Sequence, residues 1–474
     1  MSKTYENPLC ARYASSEMQH IFSNDVKFST WRKLWVALAE SQKELGLDIS
    51  QSQIDELKAN INNIDYVAAA KHEKETRHDV MAHVLTYAEV CKSAKPIIHL
   101  GATSCYVGDN TDIIVQRAAL LQIKKLLVNA ISKLYDFAKT HKDLPCLAFT
   151  HFQAAQPTTL GKRATLWLQD FLTDLAQLDF VLDNLKLLGC KGTTGTCASF
   201  LELFNGEHEK IKKLEELIAK KMGFDAVYPV SGQTYSRKID YYIASVLSGV
   251  SQSAYKFSND IRLLSHLKEI DEPFEAGQIG SSAMAYKRNP MRSERIASLA
   301  RLVIVGAQNT ALTASSQWLE RTLDDSANRR VAIPENFLAV DSILSLVINI
   351  VGGSVVYPKM LEKHLKEELP FLATENILMA CVKKGGDRQV LHEKIRQHSV
   401  AAAKNVKLGN DNDLLQRISL DKSFMLTKKE LDALLKNNNF TGIAKNQVEE
   451  FLAEVKKTLD KNKNLIGIDI SLKV

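Results

Sequence analysis

The chain has 474 residues, of which 45% are apolar and 24% are charged, a balance typical of a globular protein that can bury a sizeable core. Its 61 basic and 55 acidic residues leave a net charge of +6, too small and too dispersed to predict a nucleic-acid-binding surface. The seven cysteines are scattered and form no CxxC pair. This pattern favours a reducing compartment over a disulfide framework or a thiolate metal site.

Helical periodicity dominates the chain. Between Arg163 and Leu188, apolar residues recur every three or four positions, which is the pattern of one buried helix face. Pro290 and Pro334 are predicted to stand at the starts of two helices, where proline is common. The predicted helices are Thr30–Leu45, Asp112–Lys139, Arg163–Leu188, Ser236–Leu267, Met291–Trp318 and Pro334–Ile350.

Convincing alternating strands are scarce, so the sequence predicts an all-α protein with a central bundle of very long helices. Smaller helical domains are expected at both ends, giving a division into residues 1–103, 104–356 and 357–474. The longest apolar stretch, residues 343–356, is interrupted by polar residues and is too short to predict a membrane span. The first residues carry no apolar segment of the signal-peptide kind, so a cytoplasmic location is expected.

The segments between the long helices carry the residues suited to chemistry. Residues 280–290, GSSAMAYKRNP, combine hydroxyls and cations between a glycine and a proline, which suits an anion-handling loop or an exposed polar connection. In residues 149–159, FTHFQAAQPTT, hydrogen-bonding groups surround His151, which suits an oriented general acid, although a lone histidine is more often structural.

Three further segments offer polar groups. In residues 77–83, RHDVMAH, the two histidines are five apart, too far around a helix for a shared zinc ion. Residues 101–112 place Thr103 and Ser104 before a helix expected to be capped by Asp109 or Asn110. In residues 321–330, RTLDDSANRR, arginines and a serine form a candidate phosphate cradle, or else internal salt bridges with the two aspartates.

The sequence lacks the motifs of several classes of enzyme. No GxGxxG motif follows a strand, no GxSxG motif is present, and histidines and cysteines do not cluster. We therefore expect acid–base chemistry without a metal or a cofactor, on an anionic and phosphorylated substrate.

Several of these motifs resemble those of a known family. GSSAMAYKRNP is similar to the signature loop of the fumarase/aspartase superfamily, close to GSSxMPxKxNP. RHDVMAH, HLGATSCYVGDNTD, FTHFQAAQPTT, KGTTGT, SGQTYSRK and RTLDDSANRR, in this order, resemble the adenylosuccinate lyases of the animal type. The resemblance covers roughly residues 8–451. One departure is Ala285, which replaces the proline that usually follows the methionine of the loop.

The resemblance implies a fumarase/aspartase-like fold and a β-elimination that releases fumarate. Expected substrates are adenylosuccinate, which gives AMP, and the succinyl-aminoimidazole carboxamide ribotide of purine biosynthesis. A homotetramer with active sites shared between chains is also implied, with no nucleic-acid or membrane partner. The alternatives left open are another lyase of the superfamily, such as argininosuccinate lyase, and a non-enzymatic structural relative.

The resemblance also implies roles for individual residues. Ser281 is expected to be the base and His151 the acid, with Lys287 and His78 as further catalytic residues. The sequence does not show how a serine hydroxyl becomes a base. It also leaves two roles open for His78, which could hold phosphate or orient the acid. The expected substrate-binding residues are Arg12, Tyr13, Arg77, Asp79, Thr103, Ser104, Thr150, Gln233, Asn289, Arg295, Arg321, Ser326 and Arg330.

Overall fold

A computed structural model of the chain describes residues 4–436 and 439–473, and most of these are helical. The α-helices within that part are α1 (Ser16–Ile21), α2 (Asn24–Glu44), α3 (Gln51–Ala59), α4 (Tyr66–Thr76), α5 (Asp79–Val90), α6 (Ser104–Thr140), α7 (Leu160–Asn184), α8 (Ala198–Leu203), α9 (His208–Lys221), α10 (Lys238–His266), α11 (Met291–Ser315), α12 (Asp325–Gly353), α13 (Pro358–Leu372), α14 (Thr374–Lys383), α15 (Arg388–Lys407), α16 (Leu414–Leu420), α17 (Lys428–Lys436) and α18 (Ala444–Lys461).

Five long helices form the centre of the molecule. They are α6, α7, α10, α11 and α12, with lengths of 25 to 37 residues. Helix α10 packs along α11, α6 packs along α7, and α12 contacts α6, α10 and α11. Their facing sides supply most of one large hydrophobic core, and α18 closes it against α6 and α7. The predicted all-α architecture with a long-helix bundle is therefore confirmed.

Two smaller hydrophobic clusters flank this core. One is built around Trp31 and Trp35 of α2 and includes residues of α5 and α9. The other joins α14 to α17 around Phe424. The division of the chain near residues 103 and 356 remains a prediction.

The start of α12 differs from the prediction. The helix begins at Asp325, so Pro334 lies inside it and not at its first turn. Proline cannot donate to the carbonyl one turn earlier and normally breaks a helix interior. Here the residues that follow Pro334 are almost continuously buried, and this packing keeps the helix intact across the proline.

The start of α6 also differs from the prediction. The helix begins at Ser104 with Thr103 as its N-cap residue, so the expected caps Asp109 and Asn110 lie inside the helix. Both are buried and used for tertiary contacts. Asn110 donates to the Gly189 carbonyl at 3.2 Å and accepts from the Gly189 amide at 3.1 Å. Tertiary hydrogen bonds, and not capping, explain these polar residues.

Two antiparallel strand pairs interrupt the helices. Strand β1 (Pro145–Thr150) pairs with β2 (Gln153–Thr159), and β3 (Ile270–Asp271) pairs with β4 (Val355–Val356). The first pair is a hairpin with a register shift between Leu147 and Ala148. The sequence did not predict this hairpin, which carries Thr150 and His151 at its tip.

Two helices, α11 and α12, are long and apolar enough to cross a membrane by length and composition alone. In α12, 78% of the most apolar window is buried inside the protein, against 44% in α11. The stretch 343–356 was expected to be too short for a span, but most of it belongs to the 29-residue helix α12. Burial in the bundle core accounts for the apolar character of α12.

Candidate functional site

A cavity of about 700 Å³ opens where the N-terminal ends of α5, α6 and α12 meet α2. Helix N-termini present unpaired amides and the positive end of the helix dipole, so this arrangement favours an anionic ligand. The cavity brings together residues from five separate stretches of the chain. Among the residues predicted to bind substrate or act in catalysis, it is lined by Arg77, His78, Asp79, Ser104, Arg321, Ser326 and Arg330.

The predicted phosphate cradle lies at the start of α12. Ser326 and Arg330 are one turn apart on this helix, and Arg321 precedes it. Arg321 donates to Asp325 at 2.9 Å, and Arg330 donates to Asp79 at 2.9 Å. Of the internal salt bridges considered from the sequence, the one from Arg321 to Asp325 is present, whereas Asp324 accepts from Gln317 at 3.3 Å. Each carboxylate holds its guanidinium toward the cavity and leaves further donors for a ligand.

A buried guanidinium supports this wall from behind. Arg237 donates to Asp109 at 2.8 Å and to Asp325 at 2.6 Å, and its side chain is only 1% exposed. Burial works against its charge, but the neighbouring Asp109 carboxylate raises the pKa of Arg237 further above its usual range. Because Asp325 also accepts from Arg321, the buried Arg237 fixes the position of a cavity arginine.

A second buried arginine completes the support. Arg329 donates to Asp240 at 2.7 Å and to the Tyr235 hydroxyl at 2.5 Å, and it pairs with Asp112 at 2.9 Å. Burial opposes the charge on Asp240, but Arg329, Arg237 and the Tyr235 hydroxyl together outweigh it and lower the pKa of this carboxyl. The first turns of α6, α10 and α12 are thus tied together by charged hydrogen bonds.

Residues 77–79 form the opposite side of the cavity. Arg77 ends α4 with a left-handed backbone, at φ +57°, and His78 is the N-cap residue of α5. The His78 Nδ1 accepts from the Met81 amide at 3.3 Å, so its other ring nitrogen remains for a ligand. The N-cap residue Thr103 and the first helical residue Ser104 stand at the start of α6.

Thr150 and His151 lie at the tip of the β1–β2 hairpin, and they do not line the cavity. His151 and Phe152 form a two-residue turn with φ of +54° and +57°. Such a turn normally uses Asn-Gly, because other side chains are strained at positive φ by about 1–3 kcal/mol each. The strained turn leaves the His151 imidazole exposed at the hairpin tip. Backbone strain at an exposed residue is unusual where that residue serves only structure.

The loop between β3 and α11 holds Ser281, Lys287 and Asn289, also outside the cavity. Ser281 Oγ accepts from the Met284 amide at 3.1 Å, and Asn289 Nδ2 donates to the Gly280 carbonyl at 2.8 Å. A Cβ atom at Gly280 would lie 2.2 Å from the Lys287 carbonyl oxygen. Only glycine permits this close approach of the two sides of the loop.

The base of that loop is fixed by a carboxylate and a guanidinium. Glu272 accepts from the amides of Arg292 and Ser293 at 3.0 and 2.6 Å, which caps α11. Arg292 donates back to the Pro273 carbonyl at 2.7 Å and to Glu275 at 2.7 Å. The loop is therefore an exposed segment that is held at both ends.

The remaining predicted residues fall in two places. The Arg295 guanidinium lies 5.3 Å from the centre of the Tyr13 ring, and Arg12 adjoins Tyr13 on a short π-helix. Burial, more than the positive charges of Arg12 and Arg292, lowers the pKa of Arg295. Gln233 accepts from the Cys105 thiol at 3.4 Å, close to the start of α6.

Known protein families match two parts of the chain. Residues 11–305 match the family described as lyase, and residues 370–451 match the family described as adenylosuccinate lyase C-terminus. The chain is 51% identical to the adenylosuccinate lyase of Schizosaccharomyces pombe, over 98% of this chain and 97% of the relative. It is 52% identical to that of Saccharomyces cerevisiae, with 94% of each chain covered.

The chain belongs to the adenylosuccinate lyase family.

Solved structures share the fold of this chain. A 3-carboxy-cis,cis-muconate lactonizing enzyme from Pseudomonas putida superposes with a TM-score of 0.82 at 23% identity, covering 95% of this chain and 99% of the other. A fumarate lyase from Mesorhizobium sp. BNC1 gives a TM-score of 0.81 at 22% identity, with 95% and 99% covered. At these identities the likeness shows the fold alone.

Most of the predicted site residues of a single chain fall into four groups, whereas Thr103 and Gln233 lie beside the start of α6 outside them. One group lines the cavity, a second is the hairpin tip, a third is the 280–290 loop, and a fourth is the pair Tyr13 and Arg295 with the adjoining Arg12. Sequence reasoning missed Lys27, which also lines the cavity. Lys27 precedes the predicted helix Thr30–Leu45, and a lone lysine there gave no signal that would separate it from a solvated surface residue.

Proposed function

We propose that this chain cleaves adenylosuccinate to AMP and fumarate, and succinyl-aminoimidazole carboxamide ribotide in the same way. The observation that carries the proposal is the cavity at the start of α12, where Arg321, Ser326 and Arg330 surround space for a phosphate. Guanidinium forks and a hydroxyl match phosphate oxygens, which both substrates possess. Argininosuccinate has no phosphate, so the same cavity disfavours that alternative substrate.

The reaction is an elimination that needs a base and an acid. The base removes a proton from the succinyl Cβ, the C–H electron pair becomes the C=C bond of fumarate, and the C–N bond breaks. The leaving nitrogen keeps the bonding electrons and receives a proton from the acid. We assign the base to Ser281 and the acid to His151. Lys287 and Asn289 would bind the carboxylates on which negative charge develops.

Ser281 becomes a base only if its proton can leave before the reaction. In the structure its Oγ accepts a hydrogen bond from the Met284 amide, a donor that stabilises an alkoxide. Closure of the loop would bring Lys287 near and exclude water, which strengthens both interactions. Ser281 is partly exposed, so its hydroxyl proton would pass to solvent water before the loop closes, and the Met284 amide would then stabilise the alkoxide that remains.

We further propose that the active site is completed by other copies of the chain in a homotetramer. The separation of the cavity from the hairpin tip, the 280–290 loop and the Tyr13–Arg295 pair supports this. Exposed apolar side chains along the bundle also suit burial by another copy. Examples on α10, α11 and α12 are Tyr242, Leu263, Leu302, Val305, Leu312 and Val331.

The test of the activity uses purified protein and adenylosuccinate, without added metal or cofactor. Release of AMP and fumarate is expected, with turnover in Ser281→Ala and His151→Ala lowered by at least about 100-fold. Near-normal turnover in Ser281→Ala would remove Ser281 as the base. No product from the wild-type protein would overturn the proposed activity itself.

The test of the shared site mixes two inactive variants, His151→Ala and Arg330→Ala. If one site takes these residues from different chains, mixed tetramers contain some sites with both residues intact, and activity partly returns. Sedimentation of the wild-type protein is expected to give a tetramer. An active monomer would refute the shared site. We also place the protein in the cytoplasm, which the seven unpaired cysteines support and a fluorescent fusion would test.

A further inference from the structure

Lys27 stands on the first turn of α2 and lines the same cavity as Arg330 and Ser326. Its ammonium group lies 5.0 Å from the centre of the Phe28 ring and 5.2 Å from that of Trp31. The lysine therefore lies beside two aromatic rings at the cavity wall. Nothing in the sequence motifs marks this residue.

The cavity arginines differ from Lys27 in how their charges are balanced. Arg321 is paired with Asp325 and Arg330 with Asp79, both at 2.9 Å. Within residues 4–436 and 439–473, no carboxylate lies within 4 Å of the Lys27 ammonium. Lys27 is thus a cation of the cavity wall without a bonded counter-ion.

The positive charge of Arg330 opposes that of Lys27. Burial is the main cause that lowers the pKa of Lys27, and the positive charge of Arg330 is the next. The attractions from Asp112, Asp79 and Glu73 are weaker than these two effects. Lys27 and Arg330 therefore bring two like charges to one cavity, and an anion bound there would offset their repulsion.

We propose that Lys27 is a substrate-binding residue that holds the phosphate of the nucleotide together with Arg330 and Ser326. The inference rests on the proposed function, because it assigns a further residue to the phosphate end of the same site. Arg330 supplies a planar fork and Ser326 a hydroxyl, while Lys27 supplies a compact positive charge. A phosphate dianion has enough oxygens to accept from all three.

A purely structural role for Lys27 makes a different prediction. If the lysine only packed against Phe28 and Trp31, its removal would disturb the cavity for every ligand and lower thermal stability. A phosphate-binding role affects AMP and leaves fumarate unaffected, because fumarate has no phosphate. The two products of the reaction therefore separate the two roles within one protein.

The experiment compares Lys27→Met and Lys27→Arg with the matched control Lys33→Met, an exposed lysine on the same helix that does not line the cavity. Product inhibition is measured with AMP and with fumarate, and AMP affinity is repeated by calorimetry. We expect Lys27→Met to weaken AMP binding at least about tenfold, the size of one charged hydrogen bond. Fumarate inhibition should stay within about twofold, and Lys27→Arg should retain most of the AMP affinity.

Two results would overturn the inference. One is an AMP affinity in Lys27→Met within about twofold of the wild type. The other is an equal loss of AMP and fumarate binding, together with a lowered melting temperature. Failure of the proposed function is separate, because it would appear as a wild-type protein that neither cleaves adenylosuccinate nor binds AMP.

Discussion

Replacement of Gly280 by alanine tests whether the shape of the 280–290 loop sets the catalytic geometry. The new Cβ would lie 2.2 Å from the Lys287 carbonyl oxygen, whereas real contacts of this kind stay above 3.0 Å. The two sides of the loop must therefore separate by at least about 0.8 Å. A displacement near 1 Å at reacting groups costs on the order of 100-fold in rate, and Gly280→Ala is expected to lower kcat by that amount.

Gly277 provides the matched control, because a Cβ added there would meet nothing within 4 Å. Gly277→Ala should keep turnover within about twofold of the wild type. Both variants should melt within a few degrees of the wild type, since the loop is largely exposed and contributes little to the core. The assay is the steady-state rate of fumarate release, with melting followed by circular dichroism. A Gly280→Ala enzyme within threefold of wild-type kcat would refute the argument.

Three further variants test the loop, the cavity wall and the pH dependence of stability. The Lys287 amide donates to the Met284 carbonyl and closes a turn in which Ala285 is the second residue. Because this turn position favours proline, Ala285→Pro should raise the melting temperature slightly and change turnover modestly. Asp325→Asn removes the buried charge shared by two arginines, so urea unfolding should show a loss of about 3 kcal/mol and KM should rise. Burial raises the pKa of Asp174 from 3.8 to about 6, so its contribution to stability is present below pH 4 and is lost as the pH rises to about 6. Asp174→Asn should therefore be more stable than the wild type at pH 7, by at most about 3 kcal/mol, and should lack that decline.

Each of these expectations has a contrary outcome. An Ala285→Pro enzyme unchanged in both turnover and melting would show that the position is neutral. If Asp325→Asn has the same free energy of unfolding as the wild type, the buried network does not depend on this charge. Parallel stability curves for Asp174→Asn and the wild type between pH 4 and pH 7 would contradict the titration assigned to Asp174.

The long helices could be predicted because their signal is repeated many times. One apolar face of α7 recurs over 25 residues, and no local exception outweighs it. Helix ends lack that redundancy. A single proline suggested a start at Pro334, but the helix begins at Asp325, where Asp325 and Arg329 are held by Arg237 and Asp240.

The hairpin that carries His151 could not be predicted by pattern. Its turn residues, His151 and Phe152, have none of the glycine or asparagine that marks a two-residue turn. Its strands are short, and β2 is largely exposed, so no apolar alternation marks it. A strained turn is held by the surrounding fold, which local sequence does not encode.

The candidate site was predictable where its residues share one element. Ser326 and Arg330 are one turn apart on α12, and helical spacing alone places them on the same side. Lys27 was missed because it reaches the cavity through the packing of α2 against α6. Contacts between distant elements depend on the whole fold, and one sequence carries no local mark of them.

The bonds of Arg237 also have a consequence for the order in which the protein folds. Its partners Asp109 and Asp325 lie 128 and 88 positions away along the chain. At synthesis rates of about 5–20 residues per second, Asp325 is made roughly 4–18 s after Arg237. During that interval the nascent chain can form the bond of Arg237 to Asp109 but not the bond to Asp325. Nucleotide affinity should therefore arise late in folding, and AMP added during refolding should stabilise only chains whose last long helix has docked.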